Sequence, residues 1–452
     1  MSSRLSAWLD RWSLVLPLLA AEWVIALGFG AILPILSIFY TQHGVGLAQL
    51  GIVVAAWPAA RLVGEPIFGR MADHVSRKWM MVVALAVSAV AVALPVVVTG
   101  TAAFIVLRLI AGLGAAAYDP AARGYLMDVN PPERQGETFG MYSAAQMGGF
   151  MVGPAVGGIA AAITGEPTVV FWVFGLAYAV SALVVAVRVA DLSRTEAKQA
   201  SADLHEAADA AAAGVVTAPD GSAPIIAAIA SPSAEVTDDE PHPTRLLNRL
   251  LVVALVINVG AYLASGTYEV IWSVYMTSLG ASFALIGVSF FTFSLPVLLF
   301  SAFTGRFVDR QGGFLALVLG SIGVAACGLA YPIVPSVWWM IGLGLVEGTA
   351  AAFSGPALYT LVARAAPPGK SSTAQGLFGA AGTSGTIVAS VATGYLASYD
   401  LRLPFVVMGA AMLVFLALGL AMGGRELYAA LQPHHVQRAV AAAAAETAEA
   451  NA

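Results

Sequence analysis

Residues 69–78 read "GRMADHVSRK", and residues 305–313 read "GRFVDRQGG". The first stretch puts one acidic residue, three basic residues and a histidine into ten positions of a chain that is only 10% charged. Apolar stretches of about twenty residues or more, long enough to span a bilayer, flank it on both sides. The second stretch follows 236 residues later. The same offset carries Gly30, Thr41, Gly44, Gly69, Asp73, Pro131, Gly140 and Gly158 onto Gly266, Thr277, Gly280, Gly305, Asp309, Pro367, Gly376 and Gly394. Self-similarity at one fixed offset is the mark of a duplicated segment.

Outward from these two loops the chain is oily. At 452 residues and 59% hydrophobic, it holds more apolar surface than one soluble core buries. Twelve apolar runs carry charge mostly at their ends: 14–40, 46–69, 79–99, 102–126, 138–163, 168–190, 249–276, 282–304, 313–334, 336–362, 372–397 and 403–423. Each is long enough to cross ~30 Å of hydrocarbon as a helix. The expected fold class is an all-α polytopic membrane protein with twelve transmembrane helices in two pseudo-symmetric six-helix bundles. Six spans per half start both halves on the same side, so the repeats are parallel and a binding site is expected between them near mid-membrane. The expected organisation is a cytoplasmic segment 1–12, bundles at 13–190 and 248–424, and a tail at 425–452. Residues 191–247, rich in Ala, Ser, Pro, Asp and Glu, are expected to be a disordered cytoplasmic linker.

Of the 21 basic residues, all but Arg61, Arg108 and Arg402 fall on the side shared by the two termini. Cytoplasmic loops retain Lys and Arg, so both termini are expected in the cytoplasm of a multi-pass protein of the cell (inner) plasma membrane. The net charge of -5 is modest and argues for no nucleic-acid partner. No cleavage-like site follows the first apolar run, which reads as a span and not as a signal peptide. Cys327, the one cysteine, lies inside the ninth run and reads as core filler.

In the paired loops, Gly69 and Gly305 let a helix end approach another backbone, while Asp73 and Asp309 can face the positive end of a helix dipole. Arg70, Arg77 and Lys78 hold the first loop at the headgroups. A positive-inside anchor explains these basic residues but not a repeated Gly-x-x-x-Asp. Here the chain resembles the major facilitator superfamily, whose loop between spans two and three reads G-x-L-a-D-R-x-G-R-K; the resemblance covers roughly residues 13–424. It implies a latch that closes and releases the cytoplasmic side, formed by Gly69, Asp73, Arg77 and Lys78 with Asp128, and in the second half by Gly305, Asp309 and Arg310. His74 and Ser76 stand where the pattern has Arg and Gly, and the second copy lacks the later basic pair. The first latch is therefore expected to be the stronger.

Span five reads "GFMVGPAVGG", with Gly149, Gly153, Pro154, Gly157 and Gly158. Glycines at spacing four make a smooth face for close helix packing, and Pro154 removes a backbone donor. The stretch is also similar to the G-x-x-x-G-P-x-x-G-G of superfamily exporters that exchange substrate for protons, the drug:proton antiporter type. Arg108, Gly112 and Gly114 in "RLIAGLGAAA" resemble those exporters' R-x-x-x-G-x-G segment, which implies a part for Arg108 in proton transfer. An intramembrane arginine is a functional candidate in its own right.

Proton coupling needs a carboxylate whose ionisation changes as its surroundings change. Glu22, Glu65, Asp119, Glu269 and Glu347 are the candidates, and Glu22, Asp119, Glu269 and Glu347 are the ones expected in the proton or substrate cavity. Glu22 and Asp119 lie roughly 7 to 8 Å to the cytoplasmic side of their spans' midpoints, on spans one and four, which line the cavity in the superfamily. Arg61 and Glu65, four apart on span two, are expected to form an internal ion pair of structural or gating use. Asp119 and Arg123 share that spacing.

"PPGKSS" at 367–372 lacks the first glycine of a phosphate loop, and "GLGAAA" at 112–117 follows no strand, so neither marks a nucleotide site. No catalytic residue, metal site or cofactor is expected, and the chain is not read as an enzyme. With no ATP site, an ion gradient must supply the energy. The expected function is secondary active transport by alternating access: proton-coupled efflux of a small lipophilic or cationic compound, multidrug-type. The expected partners are a small-molecule substrate, protons and the lipid bilayer, with the chain acting as a monomer. A proton-coupled or facilitative transporter of a metabolite or sugar derivative is the alternative. A non-transporting membrane sensor is the alternative from another class.

Overall fold

The computed structural model describes residues 12–130, 135–191, 196, 246–367 and 370–432. Of the linker expected at 191–247, only Asp191, Glu196, Leu246 and Leu247 fall among them. Twelve long helices run through the described residues: α1 (Leu16–Gln42), α2 (Leu47–Met71), α3 (Arg77–Ala93), α4 (Thr101–Asp128), α5 (Gln135–Thr164) and α6 (Val169–Arg188), then α7 (Arg249–Ser278), α8 (Phe283–Gln311), α9 (Phe314–Ala330), α10 (Val337–Ala365), α11 (Ser371–Ala397) and α12 (Leu403–Ala430). Each matches one of the expected runs to within a few residues, except that α8 and α12 extend further and α3 ends six residues early, before a 3-10 turn.

The duplication is visible in the turns. Gly44 after α1 and Gly280 after α7, related by the offset, both sit at positive φ, 82° and 85°. An L side chain would be strained at either position. The third helix of each half also ends in a proline-bearing 3-10 turn, Leu94–Val96 and Tyr331–Ile333. Helix starts are capped by Ser76, Asn248 and Ser282, whose side chains accept from Trp79, Leu251 and Leu285 backbone N–H groups.

Eleven of the helices are long and apolar enough to cross a membrane. The twelfth, α11, is diluted by Ser, Thr and Gly in "SSTAQGLFGAAGTSGTIVASVATG". Those residues serve packing. Ser390 Oγ donates to the Gly266 carbonyl at 3.3 Å, and Thr393 bonds Thr267 at 3.1 Å, so α11 rides directly on the backbone of α7.

Two compact units emerge: residues 1–39 with 59–237, and residues 40–58 with 238–452. In the first, α3 packs on α4 and α6; in the second, α7 packs on α11 and α12, α8 on α10, and α9 on α10 and α12. Residues 40–58 go with the second unit. There Gly51 meets the carbonyl of Ser390 and the backbone of Gly394 so closely that a Cβ on Gly51 would fall 2.3 Å from that oxygen.

The last helix, α12, continues after a break at Gly423 as far as Ala430, into the first residues of the expected tail 425–452. Leu427 and Leu431 are buried, and Arg249 pairs with Glu426 at 2.9 Å. The Arg364 guanidinium donates to the carbonyls of Ala430 and Gln432. A cation on the open carbonyls of a helix C-terminus is favourable, and two buried leucines hold the segment in place.

Candidate functional site: buried carboxylates and the loop latch

The exporter-like glycines of α5 press onto α1. Cβ atoms built on Gly149, Gly153 and Gly157 would fall 2.3, 2.4 and 1.9 Å from the carbonyl oxygens of Trp23, Leu27 and Ala31. Any side chain at these three positions forces the helices apart. Pro154 lies inside α5, and Gly158 is buried. This close contact fixes the register between α1 and α5.

That register sets the surroundings of Glu22. Only 2% exposed, Glu22 accepts a hydrogen bond from Gln146 Nε2 on Oε1 at 2.8 Å. Its Oε2 has no hydrogen-bond partner. The hydroxyls of Tyr118 on α4 and Tyr142 on α5 are its neighbours, and neither of them reaches a partner in hydrogen-bond geometry. Three buried polar groups thus converge with bonding capacity left over. The cost of an unsatisfied buried group is about 1–3 kcal/mol.

Asp119, the next residue on α4, does not pair with Glu22 but stands in electrostatic reach of it. Its partner is Arg61 on α2. The same guanidinium holds Glu65 through Nε at 2.9 Å and Nη2 at 2.6 Å. The ion pair expected within α2 therefore has a third member, and Asp119 turns across to α2, away from the Arg123 spacing on its own helix. Glu65 is the open end of this cluster, with 44% of its side chain exposed. Arg108 is buried on α4, within electrostatic reach of Tyr178.

The second unit holds a different carboxylate. Glu347 on α10 is 1% exposed and accepts from two tyrosines, Tyr268 at 2.7 Å on Oε1 and Tyr331 at 2.5 Å on Oε2. The two rings belong to an aromatic box. Trp272 meets Tyr331 edge-on at 4.8 Å and Tyr268 at 5.3 Å, and Phe405 lies tilted against Tyr331 at 5.8 Å. Cys327 is buried on α9, in electrostatic reach of Glu347. Glu269, beside Tyr268 on α7, is half-buried.

In the first loop, Arg77 pairs with Asp128 at the end of α4 at 3.1 Å, both side chains largely shielded. The guanidinium lies across Gly124, where a built Cβ would fall 2.2 Å from Nη1. Asp73 is exposed, Gly69 is half-buried, and Lys78 Nζ lies 5.6 Å from the Trp79 ring centroid. Ser76, the departure from the family pattern, caps α3. Its hydroxyl donates to Asp191 at 2.7 Å, and Trp79 Nε1 donates to the other oxygen at 2.9 Å. In the second loop, the side chains of Gly305, Asp309 and Arg310 lie outside the described residues.

The Major Facilitator Superfamily family model matches residues 18–233 and 254–442, nearly the whole span of both units. The chain belongs to the Major Facilitator Superfamily. It is accordingly a multi-span membrane transporter and not an enzyme. Quinolone resistance protein NorA of Staphylococcus aureus is 28% identical over 141 residues, 31% of this chain and 36% of NorA. Multidrug resistance protein 2 of Bacillus subtilis is 30% identical over 144 residues, 32% of this chain and 36% of that protein. The chain thus matches little more than a third of the length of these relatives. Among solved structures, the bacterial homologue of the human lysosomal transporter Spinster, inward-facing and occupied, superposes with TM-score 0.69 at 14% identity, covering 92% of this chain and 96% of that one. The peptide transporter POT in complex with sulfate gives TM-score 0.65 at 15% identity, covering 92% of this chain and 95% of that one. At such identity these superpositions speak for the fold alone.

Within this superfamily member the two halves have diverged in chemistry. The offset of 236 carries Glu22 onto Asn258, fully buried, whose amide donates to the Phe378 carbonyl at 2.7 Å. It carries Asp128 onto Arg364, so an anion that holds a loop arginine became a cation that holds the end of α12. Gln146, Tyr118, Tyr142, Tyr268, Tyr331, Gly124 and Asp191 join the site without having stood out in the sequence. Gln146 was visible as an amide inside an apolar span. Tyr268 stood beside the more conspicuous Glu269. Nothing in the sequence ties Asp191 to Ser76 across 115 positions.

Proposed function

We propose that this transporter is a proton-coupled exporter of small lipophilic or cationic compounds, working by alternating access in the plasma membrane with both termini cytoplasmic. Glu22 carries the exchanged proton. The observation that carries this reading is its burial with one oxygen hydrogen-bonded by Gln146 and the other beside two tyrosine hydroxyls, neither in good hydrogen-bond geometry. A carboxyl with spare bonding capacity can accommodate a proton on Oε2 without breaking the Gln146 bond. Asp119 stands close enough for its charge to be felt at Glu22, which links proton occupancy to whatever neutralises Asp119. Glu347, between two tyrosines, is the second group able to hold a proton, in the other unit. Arg77 with Asp128 is the cytoplasmic latch of the first unit.

Support for export comes from the α1–α5 glycine contact and from the drug-resistance names of the two bacterial relatives. The test is transport in inside-out membrane vesicles from cells expressing the protein. Tetraphenylphosphonium should enter when the interior is made acidic and leave when a protonophore collapses the gradient. Uptake that ignores the pH gradient contradicts proton coupling.

A further inference from the structure

We propose that Arg61 is an internal stand-in for the transported cation: its guanidinium occupies the subsite on Asp119 that a monovalent organic cation takes on binding. This rests on the cationic-substrate part of the proposed function and assigns a specificity-determining role within it. The first unit brings three carboxylates together, Glu22, Asp119 and Glu65, and Arg61 bridges two of them. Such a cluster would be costly against lipid, and Glu65, with 44% of its side chain exposed, is its open side. The pair is shielded but not sealed. Exchange of one cation for another there avoids the penalty of baring a fully buried charge.

A second observation marks the place as one built for a ligand. Oε2 of Glu22 and the hydroxyl of Tyr118 are buried side by side, neither with a partner in good hydrogen-bond geometry among the described residues, and both groups are in electrostatic reach of Asp119. Tyr178 is in reach of Arg61 and Asp119 as well, and aromatic faces favour cations. Arg108 stands near Tyr178 and Arg123 near Tyr142, while Arg61 bridges Asp119 and Glu65. When a substrate cation displaces the guanidinium from Asp119, Arg61 stays tethered through Glu65, four residues along its own helix. A neutral compound gains nothing from the exchange.

The experiment measures equilibrium binding in lipid nanodiscs at pH 8 with no gradient, using tetraphenylphosphonium and neutral triphenylphosphine oxide. Arg61→Gln should bind the cation about fivefold tighter or more and the neutral compound within twofold of wild type, while Arg61→Lys should restore wild-type affinity; the fold scale follows from coupling energies of about 1–3 kcal/mol. Unchanged or weaker cation binding by Arg61→Gln, equal tightening of both ligands, or no cation binding by either protein overturns the proposal. If Arg61→Gln does not fold, Asp119→Asn carries the test: cation affinity should fall with the neutral compound unaffected, and an unchanged affinity overturns it. Because no gradient is present, failure here is separate from failure of proton coupling, which transport assays read.

Discussion

Glu347 offers a sharp test at the scale of single residues, because both its oxygens are already used. Glu347→Gln keeps an acceptor and a donor for Tyr268 and Tyr331, whereas Glu347→Ala leaves two hydroxyls stranded in an aromatic box. Thermal unfolding in detergent should show little change for the amide and a loss of about 1–3 kcal/mol for the alanine. Equal loss in both variants contradicts the hydrogen-bonded arrangement. The candidate carboxylates themselves were legible in the sequence, because an acid inside an apolar run is conspicuous. Their partners were not, because Gln146 and Glu22 are 124 positions apart and tyrosines are ordinary in any membrane helix. The direction of Asp119, towards Arg61 on α2 and not along α4, depends on how two helices are rotated, which no spacing rule contains.

The contact of α1 with α5 is the strongest element-scale feature. Three carbonyls of one helix sit against three glycines of the other with no room for a methyl group. Gly153→Val should cost about 1–3 kcal/mol as an overpacked contact. Through the shifted register it should also pull Gln146 away from Glu22, so both the melting temperature and proton-coupled transport should fall. A Gly153→Val protein that melts and transports like wild type contradicts this packing. Gly spacing in α5 made the packing face readable in advance, but not its partner helix. In the second unit the same job falls to Ser, Thr and Gly of α11, and that is why α11 alone among the twelve helices falls short of a membrane span by composition. At the loops, repeated Gly-x-x-x-Asp was readable, while the bare backbone of Gly124 under Arg77 was not. Gly124→Val should displace the guanidinium and slow transport while substrate binding persists; an unchanged transport rate contradicts this placement of the latch.

For the whole molecule, twelve long helices and a duplication were plain from the apolar runs and the constant offset, because helix length and punctuation are local properties. What divergence did to the two halves was hidden. The first unit keeps an acid on its first helix and the second has Asn258 there, with its buried acid moved to α10. The proposed competition of proton and cation at Glu22 and its neighbour Asp119 is therefore confined to the first unit, whose first helix carries the acid. The proposed exchange, a cation exported for a proton carried by Glu22, is read by proton release from acid-loaded proteoliposomes on adding tetraphenylphosphonium outside. Wild-type protein should release protons on substrate addition, and Glu22→Gln should bind the cation yet release none. Proton release by Glu22→Gln at the wild-type rate, or none from wild type with any cation tried, contradicts the account.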